Sequence, residues 1–353
     1  MSVQKPTLEI PVIDISGFLR GDEDAKKACA LELRSALENV GFFQIRGHSV
    51  SADLQKRFIR GIADFFALPQ PEKDKIGQDK SPCNRGYEAI GVERLEEIED
   101  NSQIEKKEGF TVRCERPLGR FMTGPNQWPD PSLPGMSNFR ETYMEYYAAM
   151  HRLSTSMFRL MALSLDLDED FFDAFAADPD GIQLCRSHKY PATPAGTMSD
   201  RGRGIGAHTD FGALTLLLQD DIGGLEVLDK LTGTWHPVVP VEGAYVINIG
   251  DLMQRWTNDR YRSTMHRVWS PVSNRARYSV AFFNDGALDT VIEAIPTCVP
   301  AGQKPKYGPL KVEDHLVRRY KQSYSLGGAN IVTPSPTPTS KIDSVVQLRE
   351  IVA

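Results

Sequence analysis

The chain has 353 residues, a mass of 39.4 kDa, a formal net charge of -6 at pH 7 and a sequence pI of about 5.7. This length favours one large domain with additions, or two domains, and the 41% of hydrophobic residues suffice for a sizeable core. The acidic balance, with no basic block, argues against a nucleic-acid partner and against binding to an anionic membrane. No apolar run is long enough to predict a membrane-spanning helix.

Cysteine usage indicates the compartment. The five cysteines lie far apart, their number is odd and none forms a C-x-x-C pair, which argues against a disulfide framework and against a thiolate zinc site. The first residues lack the uninterrupted apolar stretch of a secretory signal peptide. We therefore expect a cytoplasmic protein, and the sequence leaves its oligomeric state open.

The chain begins with short strands and amphipathic helices in alternation. Runs rich in β-branched or aromatic residues predict strands over 9–13 and 42–45. Apolar residues at helical spacing predict helices over 23–40 and 51–67, and Gly41 stands where a glycine commonly ends a helix.

A polar and charged stretch follows over residues 70–108. We predict a long excursion here and consider 70–115 a candidate lid. Residues 116–135 are rich in Pro and Gly and are predicted to form a loop. Residues 138–165 carry the strongest helix pattern in the chain, with a broad apolar face typical of a helix packed on a sheet.

The pattern changes after residue 180 to short strand-like runs separated by Gly, Asp or Asn. Many short strands at close spacing predict a sandwich or barrel and not an alternating βαβ fold. A further helix is predicted over 312–325. The predicted strands cover 182–190, 213–219, 225–228, 236–239, 244–249, 263–269 and 277–283.

Three regions follow from these patterns. Residues 1–135 form a region of helices and short strands, and residues 136–330 form the long helix and a β-rich catalytic region. These two regions are expected to share one core. Residues 331–353 contain a Pro/Ser/Thr-rich linker and a C-terminal tail.

The segment Ala207-His208-Thr209-Asp210 is the centre of the functional prediction. Side chains two residues apart on an extended segment point to the same side, so His208 and Asp210 can bind one metal ion together. His266, in a strand-like run, is the candidate third ligand. Two histidines and one carboxylate leave half of an octahedral iron site open for O2 and a chelating acid.

Arg277 and Ser279 form a second pair with the same spacing, eleven residues after His266. A guanidinium binds a carboxylate through two hydrogen bonds, and a hydroxyl adds one more. The glycines Gly202, Gly204 and Gly206 precede His208, but no strand–helix unit follows them. They are interpreted as a tight turn before the ligand strand, not as a dinucleotide-binding loop.

The runs HTDFGALTLLLQDDIGGLEVL, NIGD, RSTMHRV and RYSVAFF resemble the 2-oxoglutarate- and iron-dependent dioxygenases of the isopenicillin N synthase-like superfamily. The N-terminal runs IPVIDIS, GFFQIRGH and FFALPQPEK are similar to that family's N-terminal region. Within it, NRGY, KEGF, RWTND and IEAIP look closest to small-molecule hydroxylases such as thymine 7-hydroxylase. The resemblance implies an α+β fold with a distorted double-stranded β-helix (jelly-roll) core, flanking helices and a long helix packed on the sheet.

The resemblance also implies the roles of individual residues. His208, Asp210 and His266 match the Fe(II) ligands. Arg277 and Ser279 match the pair that binds the carboxylate of 2-oxoglutarate. Tyr190 matches a further contact to this co-substrate, although the surrounding His188-Lys189-Tyr190-Pro191 departs from the family's Asn-Tyr-Tyr-Pro-Pro segment.

The substrate is expected to be a small organic molecule, oxidised with O2 at a C–H bond by hydroxylation, desaturation, ring formation or ring expansion. A place in secondary or other small-molecule metabolism is expected. Arg186, Phe211, Phe283 and Arg85 are candidate substrate contacts, and core packing is the alternative for each phenylalanine.

Two alternatives stay open at this point. One is an oxidase or cyclase that uses the same iron triad without 2-oxoglutarate. The other is a β-barrel binding protein or zinc hydrolase with a His/Asp/His site, which an intact third ligand and the Arg277/Ser279 pair disfavour.

Overall fold

The computed structural model of the protein describes residues 8–92, 105–193, 203–269 and 272–323. Helices are combined with large, mainly antiparallel sheets, so the mixed α and β content predicted from the sequence is confirmed. The predicted linker and tail, residues 331–353, lie outside the described residues. Within the described part of the chain, no helix has the length and apolar character needed to cross a membrane.

The predicted helices are confirmed close to their predicted ends. Asp22 and Ser51 cap the helices that follow them, with side chains that accept hydrogen bonds from Ala25 N and Leu54 N. Gly41 has a φ of +78°, the left-handed conformation that favours glycine after a helix. The α-helices are α1 (Ser16–Leu19), α2 (Glu23–Asn39), α3 (Ala52–Phe66), α4 (Gln70–Asp74), α5 (Phe139–Ser164), α6 (Asp173–Ala176), α7 (Asp251–Trp256) and α8 (Val312–Ser323).

Eight strands form the large sheet, in the order β1-β2-β10-β7-β12-β5-β4-β3, and only β1 and β2 pair in parallel. A four-stranded sheet has the order β6-β11-β8-β9, and β13 pairs with β14. The strands are β1 (Val12–Asp14), β2 (Phe42–Arg46), β3 (Gly86–Glu88), β4 (Glu108–Arg113), β5 (Ile182–Tyr190), β6 (Arg203–His208), β7 (Leu214–Gln219), β8 (Leu225–Asp229), β9 (Thr234–Pro237), β10 (Tyr245–Ile249), β11 (His266–Trp269), β12 (Arg277–Gly286), β13 (Val291–Ile292) and β14 (Leu310–Lys311).

The long helix α5 packs on one face of the large sheet, as predicted. Tyr143 and Tyr147 donate hydrogen bonds from their hydroxyls to the main-chain oxygens of Cys185 and Gln183 on β5, at 3.3 Å and 3.0 Å. Side chains alternate along a strand. The odd-numbered residues of β5 therefore face α5, and the even-numbered residues face the smaller sheet.

One large hydrophobic core contains buried residues from Ile13 to Leu316, and so joins both predicted regions. The boundary between residues 135 and 136 stays a prediction. A smaller buried cluster, which includes Phe42, Tyr190 and Val268, contains residues of both sheets.

Residues 70–108, predicted as an excursion, contain β3 and the first residue of β4, and the candidate lid 70–115 contains both strands, which lie at one edge of the large sheet. The charged residues misled the sequence prediction because several are buried in ion pairs. Glu88, for example, is 1% exposed and pairs with Lys107 at 2.9 Å. Residues 93–104 lie outside the described residues, and the lid role stays a prediction.

The tight turn predicted for the glycine run is wrong for Gly204 and Gly206, which lie within β6. A Cβ atom on Gly204 would lie 2.9 Å from the ring of Tyr190 and 2.9 Å from the carbonyl oxygen of Val268. Gly204 therefore permits the close approach of β6 to Tyr190, and Gly202 lies outside the described residues.

Candidate active site

A cavity opens between the two sheets, and it encloses about 950 Å³ including the space at its mouth. A volume of this size fits the range of small-molecule sites. Nine of the ten predicted site residues line it: His208, Asp210, His266, Arg277, Ser279, Tyr190, Arg186, Phe211 and Phe283.

Two neighbouring strands order one wall of the cavity. Arg277, Ser279, Ala281, Phe283 and Asp285 follow one another at every second position of β12 and all line the cavity. Across the β5–β12 ladder, the first four face Tyr190, His188, Arg186 and Leu184, respectively. The wall therefore begins at the basic Arg277 and ends at the acidic Asp285, about 27 Å further along β12, with polar and apolar side chains between them.

The predicted metal ligands come together. His208 ends β6, His266 begins β11, and the two residues are register partners in the small sheet. The Nε2 atoms of His208 and His266 each lie 3.6 Å from Oδ1 of Asp210. All three ligand atoms lie within 4.8 Å of one another, as binding to one ion requires.

Hydrogen bonds orient each of these side chains. The Nδ1 atoms of His208 and His266 donate to the carbonyl oxygens of Gly206 and Thr264, at 2.8 Å and 3.0 Å. Both Nε2 atoms are thus left with a lone pair to offer a metal.

Two hydrogen bonds to Oδ2 orient the carboxylate of Asp210. Thr215 Oγ1 and Asn248 Nδ2 donate to its Oδ2 at 2.5 Å and 2.6 Å, so Oδ1 faces the imidazoles. Thr215 is the register partner of Phe283, which places the triad between the Arg277 and Asp285 ends of the cavity.

The electrostatics suit a bound cation. Burial alone would raise the pKa of Asp210, but the adjacent His266 and His208 outweigh it and hold the pKa well below its usual range. Burial, together with His208, lowers the pKa of His266 to about 4. The Asp210 carboxylate is therefore ionised and the His266 imidazole neutral near pH 7, the forms in which these two groups bind a metal.

Two imidazole nitrogens and one carboxylate oxygen fit Fe(II), because this donor set is the facial triad of non-haem iron oxygenases. Nothing else among the described residues provides a second cluster of three His, Cys, Asp or Glu ligands.

Arg277 is a buried cation held by neutral side chains. Its side chain is fully buried, and it donates to Ser279 Oγ and Gln219 Oε1, both at 3.1 Å. Its guanidinium lies 4.8 Å from the ring centre of Tyr190, and its Nε has no hydrogen-bond partner among the described residues. A buried charge whose hydrogen-bond partners are neutral suits an anionic ligand.

The helix α8 packs against the cavity wall at Phe211, a contact that the sequence did not predict. His315 Nε2 donates to the carbonyl oxygen of Phe211 at 2.9 Å, and the Arg319 guanidinium lies 4.3 Å from the Phe211 ring centre. Tyr320 lines the cavity. A helix so distant in sequence carries no local signal of its contact with Phe211.

Arg85 does not line the cavity. It is fully buried, and its Nη1 and Nη2 donate to the carbonyl oxygens of Cys83 and Met122. The residue therefore stabilises the main chain, and its position beside a polar turn gave no sign of this. Sequence reasoning also missed Asp285, Asn248 and Thr215, which carry no recognisable spacing to the triad.

Replacing Asn248 by Ala is expected to weaken Fe(II) binding by about 10- to 100-fold, the usual cost of losing a hydrogen bond that orients a metal ligand. Equilibrium titration of the metal-free protein under anaerobic conditions measures this. Asn284→Ala is the control, because Asn284 is equally buried but donates to Ser154 and Ala176. Equal Fe(II) affinity in both variants would contradict a role for Asn248.

Comparison with known proteins assigns the chain to a family. A model of the 2OG-Fe(II) oxygenase superfamily matches residues 179–286, and a model of the N-terminal region of non-haem dioxygenases in morphine synthesis matches residues 10–131. The chain is 44% identical over 321 residues to the 2-oxoglutarate-Fe(II) type oxidoreductase hxnY of Emericella nidulans, covering 89% of this chain and 90% of that protein. The chain belongs to the 2OG-Fe(II) oxygenase superfamily.

Further relatives agree with this assignment. Clavatol oxidase claD of Penicillium crustosum is 36% identical over 342 residues, covering 92% of this chain and 99% of that protein. The crystal structure of Neurospora crassa thymine 7-hydroxylase with alpha-KG and thymine is 31% identical, with a TM-score of 0.81, covering 91% of this oxygenase and 99% of that chain.

The protein is therefore a 2-oxoglutarate-dependent dioxygenase that uses Fe(II), 2-oxoglutarate and O2 to oxidise a small organic molecule. The resemblance stated from the sequence motifs is confirmed at the level of the family, the reaction class and the cofactors.

Proposed function

We propose that His208, Asp210 and His266 hold Fe(II), and that Arg277, Ser279 and Tyr190 bind the distal carboxylate of 2-oxoglutarate. The observation that carries this assignment is the pairing, in one cavity, of a three-ligand cluster with a buried arginine that donates hydrogen bonds to the neutral side chains of Ser279 and Gln219. The two sheets that enclose it are proposed to be the walls of a double-stranded β-helix.

When bound, Fe(II) with 2-oxoglutarate and O2 supplies the oxidant that removes hydrogen from a substrate C–H bond. Thr215 and Asn248 fix the Asp210 carboxylate, and Gly206 and Thr264 fix the two imidazoles. Arg277 neutralises the distal carboxylate of the co-substrate. Apolar side chains such as Leu217, Ile205 and Val268 keep water away from the same space.

The substrate is proposed to occupy the end of the cavity away from Arg277. Phe211 and Phe283 offer ring surfaces there, and Arg186 and Asp285 are the charged side chains. Asp285 is 4% exposed, and none of the described residues forms a hydrogen bond with its Oδ1. Burial and the charge of Asp210 raise the pKa of Asp285 to about 7. This end of the cavity fits a small planar molecule that has a hydrogen-bond acceptor for Arg186 and an N–H or O–H donor for Asp285.

A screen for succinate release tests the proposal. The Fe(II)-loaded enzyme is given 2-oxoglutarate, O2 and a panel of hydroxylated aromatic and heteroaromatic compounds, each paired with an analogue that lacks the donor group. We expect stimulation by donor-bearing compounds that falls in Asp285→Leu and is partly kept in Asp285→Asn, which retains an acceptor oxygen. Equal turnover of both members of each pair would contradict the assignment of Asp285.

The screen also separates the alternative function. An oxidase with the same triad would form product without succinate, whereas the proposed enzyme forms the two in equal amounts. The relatives named as 2-oxoglutarate-dependent dioxygenases favour the second outcome.

The biological setting is proposed from the relatives. Those named as clavatol oxidase and as 2-oxoglutarate-dependent dioxygenases of Monascus and Trichoderma favour a role in small-molecule, including secondary, metabolism. All five cysteines are free thiols, which favours a reducing compartment such as the cytoplasm.

A further inference from the structure

Four buried charges form a chain from the cavity wall to the strand that carries His208. Arg186 Nη2 pairs with Glu88 Oε2, and Lys107 Nζ lies 2.9 Å from Glu88 Oε1. Lys107 also lies 3.9 Å from Glu105 Oε2. All four side chains are at least nine-tenths buried, and their formal charges sum to zero. Buried ion pairs contribute little to stability compared with apolar packing, so a function for this group must be sought in what it positions.

The far end of this chain contacts the main chain of the iron site. Glu105 Oε1 accepts a hydrogen bond from the amide of Gly206 at 3.0 Å, and the carbonyl oxygen of Gly206 accepts from His208 Nδ1 at 2.8 Å. Glu105 therefore binds the amide of Gly206, and the carbonyl of the same residue orients the His208 imidazole toward the metal position.

The pairing of β6 with β11 explains why this amide needs a partner. His208 pairs with His266 and Ile205 pairs with Val268, so β6 advances three residues where β11 advances two. One extra residue is a β-bulge, which leaves a main-chain group outside the ladder and redirects the following side chain. Gly206 lies in this bulge, and within the part of the chain that the structure describes β6 is an edge strand of the small sheet.

We propose that Glu105 is a positioning residue for the iron site: it locks the bulge at Gly206 and so aims His208 at the metal. Lys107 lies between the carboxylates of Glu105 and Glu88, and Glu88 extends the same network to Arg186 at the cavity wall. The inference rests on the proposed role of His208 as an Fe(II) ligand.

Fe(II) binding to the metal-free, full-length protein, titrated anaerobically without 2-oxoglutarate, provides the test. Glu105→Ala is expected to weaken Fe(II) binding by about 10-fold or more, as for other groups that orient metal ligands. Glu105→Gln keeps an oxygen that accepts from Gly206 N and is expected to recover most of the affinity. Glu105→Asp is one methylene shorter, falls short of the amide, and is expected to bind Fe(II) less tightly than Glu105→Gln.

Glu108→Ala is the matched control. Glu108 is 5% exposed, begins β4 and pairs with Lys73 and Lys189 at 2.6 Å and 2.8 Å, but it does not contact Gly206. Thermal unfolding of every variant measures the general loss of stability, which is expected to be at least as large for Glu108→Ala as for Glu105→Ala. Only the Glu105 variants are expected to lose Fe(II) affinity beyond their loss of stability.

Amide hydrogen exchange of the segment 203–208 gives a second readout that needs no metal. Faster exchange of this segment is expected in Glu105→Ala and Glu105→Asp, and near wild-type exchange in Glu105→Gln. If Glu105→Ala does not fold, the Fe(II) affinities of Glu105→Gln and Glu105→Asp are compared instead.

Wild-type Fe(II) affinity in Glu105→Ala or Glu105→Asp would overturn the proposal. A loss of Fe(II) affinity in Glu108→Ala as large as that in Glu105→Ala would also overturn it. Asp210→Ala serves as the reference: if it also binds Fe(II) normally, the triad itself is wrong.

Discussion

Asp210→Ala is expected to abolish turnover and to weaken Fe(II) binding by more than about 100-fold, because residues that only orient a ligand already cost 10- to 100-fold. The substitution removes the one negative charge of the triad, and it leaves Thr215 and Asn248 without the acceptor they share. Succinate release and anaerobic Fe(II) titration measure the two effects. Asp259→Ala is the control, because Asp259 pairs with Lys306 and Tyr307 away from the cavity. Wild-type turnover in Asp210→Ala would refute the triad.

Arg277→Met is expected to raise the KM for 2-oxoglutarate strongly while Fe(II) binding stays unchanged. Removing one partner of a buried, hydrogen-bonded charge pair costs about 2–5 kcal/mol, which is roughly 30- to 5,000-fold in binding. Initial rates of succinate formation at varied 2-oxoglutarate concentration measure it.

Arg275→Met is the control for this prediction. Arg275 lies two residues away and is exposed, and it pairs with Asp221 at 3.0 Å. An unchanged KM in Arg277→Met would mean that another residue binds the distal carboxylate.

The predicted site residues that lie together in the cavity share a short-range pattern. Arg277 and Ser279, two residues apart on one strand, necessarily share a face of the sheet, and His208 and Asp210 follow the same spacing. The apolar periodicities of α2, α3 and α5 likewise predicted helices that the structure confirms within one residue or so of their ends.

The residues that the sequence missed depend on contacts between distant segments. β6 was interpreted as a turn because glycines are rare in strands, yet Gly204 is required by the approach of Tyr190. β3 and β4 were interpreted as a polar excursion because their glutamates find buried lysines that no local pattern reveals. Glu105 and Tyr320 reach the site from other elements and could not be identified from spacing alone, whereas Asp285 lies on the same face of β12 as Arg277 and Ser279.

The central claim is that one Fe(II) ion binds between His208, Asp210 and His266 and that 2-oxoglutarate binds beside it. Anaerobic equilibrium dialysis of radiolabelled 2-oxoglutarate, with and without Fe(II), against the wild type and His266→Ala tests it most directly. We predict one Fe(II) per chain, tight 2-oxoglutarate binding only when Fe(II) is present, and loss of both in His266→Ala. Stoichiometric Fe(II) and 2-oxoglutarate binding in His266→Ala would contradict the account.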